Sequence, residues 1–227
     1  MHLESHGAPQ TAPKAWGSSR VKVWHDDEQV SAITGQSLLP LDSPPMDVAG
    51  TIIWFVAKHG TGNKGILYQS TRVGGETSTD AVLQEDSECY VSPGCGLSSE
   101  KADNGPVVAW ITADGAVMTL QQDWKAENDP LFNQIAPAGS AALNSTVCLS
   151  GGTIWWFGPN WELMGAYSSK RFDSTIAWND LEWTVWQQLP AGVGRKGKDS
   201  IVSAESRETI WYAGADDMAH SLSIDRY

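Results

Sequence analysis

Thr153-Ile154-Trp155-Trp156-Phe157, followed by Pro159-Asn160 and by Glu162 to Ser168, reads as a short apolar strand, a polar turn and a return strand. The same grammar recurs four more times. Arg20 to Trp24 turns at Asp26-Asp27 into Gln29 to Ile33, and Thr51 to Val56 turns at Gly60 to Asn63 into Gly65 to Gln69. Val107 to Ile111 turns at Asp114-Gly115 into Ala116 to Gln121, and Thr209 to Tyr212 turns at Asp216-Asp217 into Met218 to Ile224. The tryptophans at positions 24, 54, 110, 155 and 211 are spaced by 30, 56, 45 and 56 residues, the later intervals suiting one propeller blade each.

A lone hairpin cannot bury both of its faces, and radial stacking of such units leaves only short, protected edges. The fold class is therefore all-β, a β-propeller of five blades, or six if the Gly60 to Asn104 interval conceals one. Its ring is expected to be closed by strands from both termini, one starting at Arg20 and one ending at Tyr227. Asp180 to Gln188 alternates with period 2, Leu181, Trp183 and Val185 on one face and Glu182, Thr184 and Trp186 on the other, which is a further strand. Residues 1–15 are expected to be a flexible segment and 16–227 one domain.

The 227 residues carry a net charge of −12 and no Lys/Arg run, which argues against a nucleic-acid partner. Apolar stretches such as Gly50 to Ala57 are far below the ~20 residues of a membrane-spanning helix. Cys89 and Cys95 flank a turn-rich segment short enough for a disulfide, while Cys148 has no evident mate. Asn144-Ser145-Thr146 is an N-glycosylation sequon in a polar loop. Residues 1–20 are polar and hold no leader, so disulfide and sequon together predict a secretory or extracellular chain whose leader has been removed. Metal-ligand spacing, a phosphate-binding glycine loop and a Gly-x-Ser-x-Gly elbow are all lacking, so neither a metal nor a cofactor is expected. A paired-carboxylate glycosidase stays open, Asp180 and Glu182 lying on strand-like backbone where plain surface charge is the competing expectation.

Ala15-Trp16-Gly17-Ser18-Ser19-Arg20-Val21-Lys22-Val23 resembles the entry into each hairpin of the fungal fucose-lectin propellers, and the other hairpins resemble it more weakly. In that family each fucose pocket uses an Arg at the strand start, a Glu on the return strand and a Trp or Tyr wall. Here only Arg20 keeps the Arg; its counterparts are Ile52, Val108, Thr153 and Thr209, and the Glu places hold Ala32, Thr119, Gly165 and His220. Such loss implies that a repeated sugar site has given way to one site at most. The chain also looks like the fungal hetero-Diels-Alderases of tropolonic sesquiterpene biosynthesis, which join a tropolone quinone methide to a humulene-type alkene.

That second resemblance implies a cofactor-independent cyclase for a hydrophobic or aromatic small molecule, with a fucosylated glycan as the ligand if the lectin reading holds. Holding diene and dienophile in a near-attack pose needs aromatic walls, for which Trp54, Trp110, Trp156, Trp211 and Tyr212 are the candidates. Acid/base or oxyanion help would come from Arg20, His25, Lys58, His59 or His220. For the tryptophans, packing in the blade core is the competing expectation, and of each doubled pair, Trp155-Trp156 and Trp211-Tyr212, only one ring can share a given core layer. A homodimer is compatible with either function, as is a propeller serving only as a partner-binding platform.

Overall fold

Alternating apolar strands punctuated by Gly, Pro and Asp turns give a structure whose regular elements, among the described residues, are all strands. The computed structural model describes residues 46–49, 52–59, 64–73, 76–81, 90–92, 95–102, 105–121, 131–168, 182–196, 202–204 and 209–223. By internal contacts the chain divides into Met1–Leu38 and Leu39–Tyr227, and every described residue belongs to the second unit. The predicted boundary at residue 15 and the first hairpin, Arg20 to Ile33, lie outside the described residues.

Four sheets follow one another in chain order. The first is β1 (Met46–Ala49), β2 (Ile52–His59), β3 (Lys64–Val73) and β4 (Glu76–Ala81); the second is β5 (Ser98–Ala102), β6 (Gly105–Ile111), β7 (Val117–Gln121) and β8 (Leu131–Ala136). The third is β9 (Val147–Ser150), β10 (Thr153–Phe157), β11 (Leu163–Ser168) and β12 (Trp183–Leu189); the fourth is β13 (Val202–Ala204), β14 (Thr209–Ala213) and β15 (Ala219–Ser223). Each sheet is an antiparallel meander with its strands in sequence order. The first strands meet in succession, β1 against β5, β5 against β9 and β9 against β13. Sheets that touch through their leading strands and lie face against face are blades of a propeller.

Interior residues settle how the blades stack. Val107, Ala109 and Ile111 of the second sheet bury against Ile154, Trp156 and Ala166 of the third. Trp155, Phe157 and Leu163, on the opposite face of the third sheet, bury against Val202 and Ile210 of the fourth. Trp155 and Trp156 are thus both fully buried, in two different cores, because neighbours on a strand point to opposite faces.

Three hairpins share one turn. Thr112, Gly158 and Gly214 donate their N–H to the carbonyls of Ala116, Glu162 and Met218, at 2.9, 2.9 and 2.8 Å. The fourth loop residue is left-handed each time: Gly115 (φ 83°), Trp161 (φ 62°) and Asp217 (φ 62°). The chain running between blades is stitched to these turns by backbone alone. Val91, Ala141 and Gly194 donate to the carbonyls of Gly65, Gly115 and Trp161, and Ser92, Ala142 and Arg195 donate to those of Ile111, Phe157 and Ala213, all at 2.8 to 3.0 Å.

The structure changes two expectations and leaves a third outside the described residues. Gly60 to Asn104 conceals no further blade, since it holds β3, β4 and β5, and only residues 82–97 separate β4 from β5. The Cys89–Cys95 bridge is not formed at Cys95, which is a free thiol buried in the core between the second and third sheets; Cys89 lies outside the described residues. Burial pushes the Cys95 thiol above its ordinary range, against the smaller lowering effect of hydrogen bonds with Ser92 and the Asn144 and Ser145 backbone. Third, the fourth sheet has three strands among the described residues, and both terminal strands expected to close the ring, near Arg20 and at residues 224–227, lie outside them.

Candidate functional site

The three repeated hairpins give a common register for the places at which the resemblance puts a pocket. Counting from Ala116, Glu162 and Met218, the return-strand place is Thr119, Gly165 and Ser221, which pair with Ala109, Trp155 and Trp211. The strand-start place is Val107, Thr153 and Thr209, which pair with Gln121, Tyr167 and Ser223. Val108 and His220, expected at these places, are each displaced by one residue, and one residue is a change of face. His220 pairs with Tyr212 and shares its side of the sheet.

In the second blade the whole set is inside the protein, with Val107, Ala109 and Thr119 fully buried. The third blade is filled by indoles. A Cβ built on Gly165 would stand 2.5 Å from Trp186 and 2.7 Å from Trp155, whose rings meet edge to face with centroids 5.1 Å apart. No acidic side chain could occupy that position. Of these three hairpins, that of the fourth blade alone has the set open: Trp211 is 44% exposed, and Ser221 and Ser223 are exposed beside it. Its neighbours on that face, Ala213 and Ala219, are too small to cover the ring. The outcome is an indole lying among the hydroxyls of Thr209, Ser221 and Ser223.

On the other face of β14 and β15 lies a second group. Tyr212 stacks on His220 with ring centroids 5.2 Å apart and meets Phe157 edge to face at 6.5 Å, which ties it to the neighbouring blade. His220 Nε2 lies 2.9 and 3.1 Å from the two carboxylate oxygens of Asp216. That hydrogen bond, helped by the Met218 N–H, holds the exposed Asp216 carboxyl below its usual range. Gly214 leaves room for this pair, since a Cβ there would meet the Asp216 and His220 side chains at 2.5 Å and make them shift. Arg195 Nε pairs with Asp217 at 3.1 Å beside them.

Of the predicted site residues that are described, Tyr212 and His220 are brought together on one face of the fourth sheet, and Trp211 stands on the other. Trp54, Trp110 and Trp156 are fully buried in sheet packing, and Trp156 Nε1 donates to the Ser140 carbonyl at 3.0 Å. Trp156 fills the space between the second and third sheets that a smaller side chain would leave empty. Lys58 and His59 are the last residues of β2, paired with Gly65 and Lys64, and not the free tip of the turn. Arg20 and His25 lie outside the described residues, as do Ala32 and Asp180. Among the described residues no three His, Cys, Asp or Glu side chains converge as metal ligands would.

Trp161 escaped the sequence reading. It holds a left-handed backbone that costs a bulky residue roughly 1–2 kcal/mol, at a place where the other turns use Gly115 and Asp217. Its indole packs on Phe157 with centroids 6.1 Å apart. The signal was available: three of five hairpins share a turn length, and Trp161 stands where Gly stands in one of them.

No protein-family model matches the chain, and no curated protein does either. Among solved structures, the Aleuria aurantia lectin, a fungal lectin described as having a six-bladed β-propeller fold and a novel fucose recognition mode, is similar at 12% identity and a TM-score of 0.45. The match covers 75% of this chain and 51% of that lectin, so this chain spans about half the lectin's length.

Proposed function

We propose that the protein is a carbohydrate-binding propeller with one sugar platform in the described blades, the face of the fourth sheet built on Trp211. The observation that carries this reading is the contrast between Trp155, fully buried, and Trp211, 44% exposed at the matching position. A flat indole presents a polarisable face to the C–H side of a pyranose, and the hydroxyls of Thr209, Ser221 and Ser223 supply donors and acceptors around it. Without a strand-start Arg or a return-strand Glu, the platform offers an indole and hydroxyls alone, which suits weak binding of a pyranose. Of the five walls of the cyclase reading, Trp54, Trp110 and Trp156 are committed to packing, and Trp211 and Tyr212 remain accessible.

Titration of the protein with fucose, galactose and mannose, followed by tryptophan fluorescence and by the indole N–H resonance of Trp211, tests the proposal. A saturable shift of Trp211 at one site per chain, lost in Trp211→Ala, is expected. If no sugar moves Trp211, the platform reading falls. The burial of Trp155 beneath the next blade favours a second reading of the same face, as a surface that packs against another sheet. Under that reading Trp211 is already shielded in solution, and Trp211→Ala changes the association state or stability instead of sugar binding.

A further inference from the structure

Asn144-Ser145-Thr146 is the one Asn-x-Ser/Thr sequence in the chain, and the sugar platform makes no use of it. The loop leading to β9 turns back on itself there, with Ser145 Oγ donating to the Ala142 carbonyl at 2.7 Å. Asn144 stands at the exposed corner of that turn with φ 64°, a left-handed conformation that Asn tolerates better than most residues. Leu143 beside it is 47% exposed. The rest of the motif faces inward. Ser145 is fully buried, and Thr146 Oγ1 accepts the Val202 N–H at 2.9 Å, a partner 56 residues further along the chain. The Thr146 methyl presses on Gly96, where a Cβ would stand 2.9 Å from it.

We propose that Asn144 carries an N-linked glycan, attached to the nascent chain before β13 docks. The attaching enzyme needs the Asn amide together with the hydroxyl two residues on. In the folded chain that hydroxyl is engaged by Val202 and the intervening Ser145 is buried, so an extended Asn144–Thr146 segment exists only before the fourth blade is in place. In the transfer, Asn144 Nδ2 forms a bond to the anomeric carbon of a lipid-diphosphate-linked oligosaccharide. The bond from that carbon to the diphosphate oxygen breaks, the lipid diphosphate leaves, and the amide proton passes to a base of the transferase. The finished glycan projects from the corner over Leu143 and displaces no packed side chain, because Asn144 is exposed already.

The test is translation of the full chain behind a secretion leader into microsomes of the endoplasmic reticulum. A protease-protected chain with one upward gel shift, collapsed by peptide-N-glycosidase and missing in Asn144→Gln, is expected; a protected chain without the shift overturns the site. A second arm mixes unmodified, folded protein from a bacterial host with the same transferase and donor. Loss of modification there, with modification regained when the chain is diluted from denaturant into the enzyme, is the result expected. Equal modification of the folded and the denatured chain overturns the order of events.

Discussion

Trp155 and Gly165 face each other across the β10–β11 pair, and the indole occupies the space that any side chain at Gly165 would need. A cross-strand fit this close makes the glycine a packing residue. Gly165→Ala drives a methyl into Trp186 and Trp155, and overpacking of this kind costs about 1–3 kcal/mol. Denaturant unfolding should show the loss, with a changed near-ultraviolet circular dichroism as the two indoles separate. An unchanged midpoint would mean that the third blade yields more easily than its packing implies.

Trp156→Ala and Trp211→Ala should behave in opposite ways. The first empties a core position and leaves the Ser140 carbonyl without its donor, for a loss of about 3–5 kcal/mol, a large share of a typical domain's stability. The second removes a half-exposed ring and should stay within about 1 kcal/mol of the parent. Equilibrium unfolding of the two variants side by side decides it.

At Trp161, glycine should be the better of two truncations. Both Trp161→Gly and Trp161→Ala lose the contact with Phe157, but only the alanine keeps a Cβ in the left-handed region. The glycine variant should be more stable than the alanine variant by about 1 kcal/mol. Equal stabilities would show that the loop relaxes away from φ 62° once the ring is gone.

Asp216 gives the acid side of the stability curve a defined sign. Its folded pKa lies below the ordinary 3.8, chiefly through the His220 hydrogen bond, so its stabilising effect is complete above 3.8 and is lost as pH falls through the lower, folded value. Asp216→Asn should therefore melt below the parent at neutral pH, with the gap closing as the pH drops beneath 3.8. A gap that is constant with pH would trace the difference to turn geometry, and not to ionisation.

Strand type and turn position were legible in the Trp hairpins because a period of 2 and the Asp-Gly, Pro-Asn and Asp-Asp punctuation are local properties. The alternation of Asp180 to Gln188 likewise appears as β12. Exposure was not legible, because Trp155 and Trp211 occupy the same place in their hairpins and differ only in what packs on them from another blade. Register slipped at His220 for a related reason. Three loop residues separate the closing pair of each turn, and placing the return strand one residue off sends a side chain to the other face. The buried state of Cys95 depends on the meeting of two sheets, which no spacing within its own loop encodes.

The seams between blades are sewn by amide groups of Val91, Ala141 and Gly194, and of the residues that follow them. A peptide group is the same whatever side chain it carries, so the pitch from one described blade to the next is insulated from mutation. A tandem array assembled in this way can let its copies drift until they no longer look like copies, shedding duplicate sites one blade at a time. The loss of kinship among the five hairpins is then what such stitching permits, and not a sign of a failing architecture.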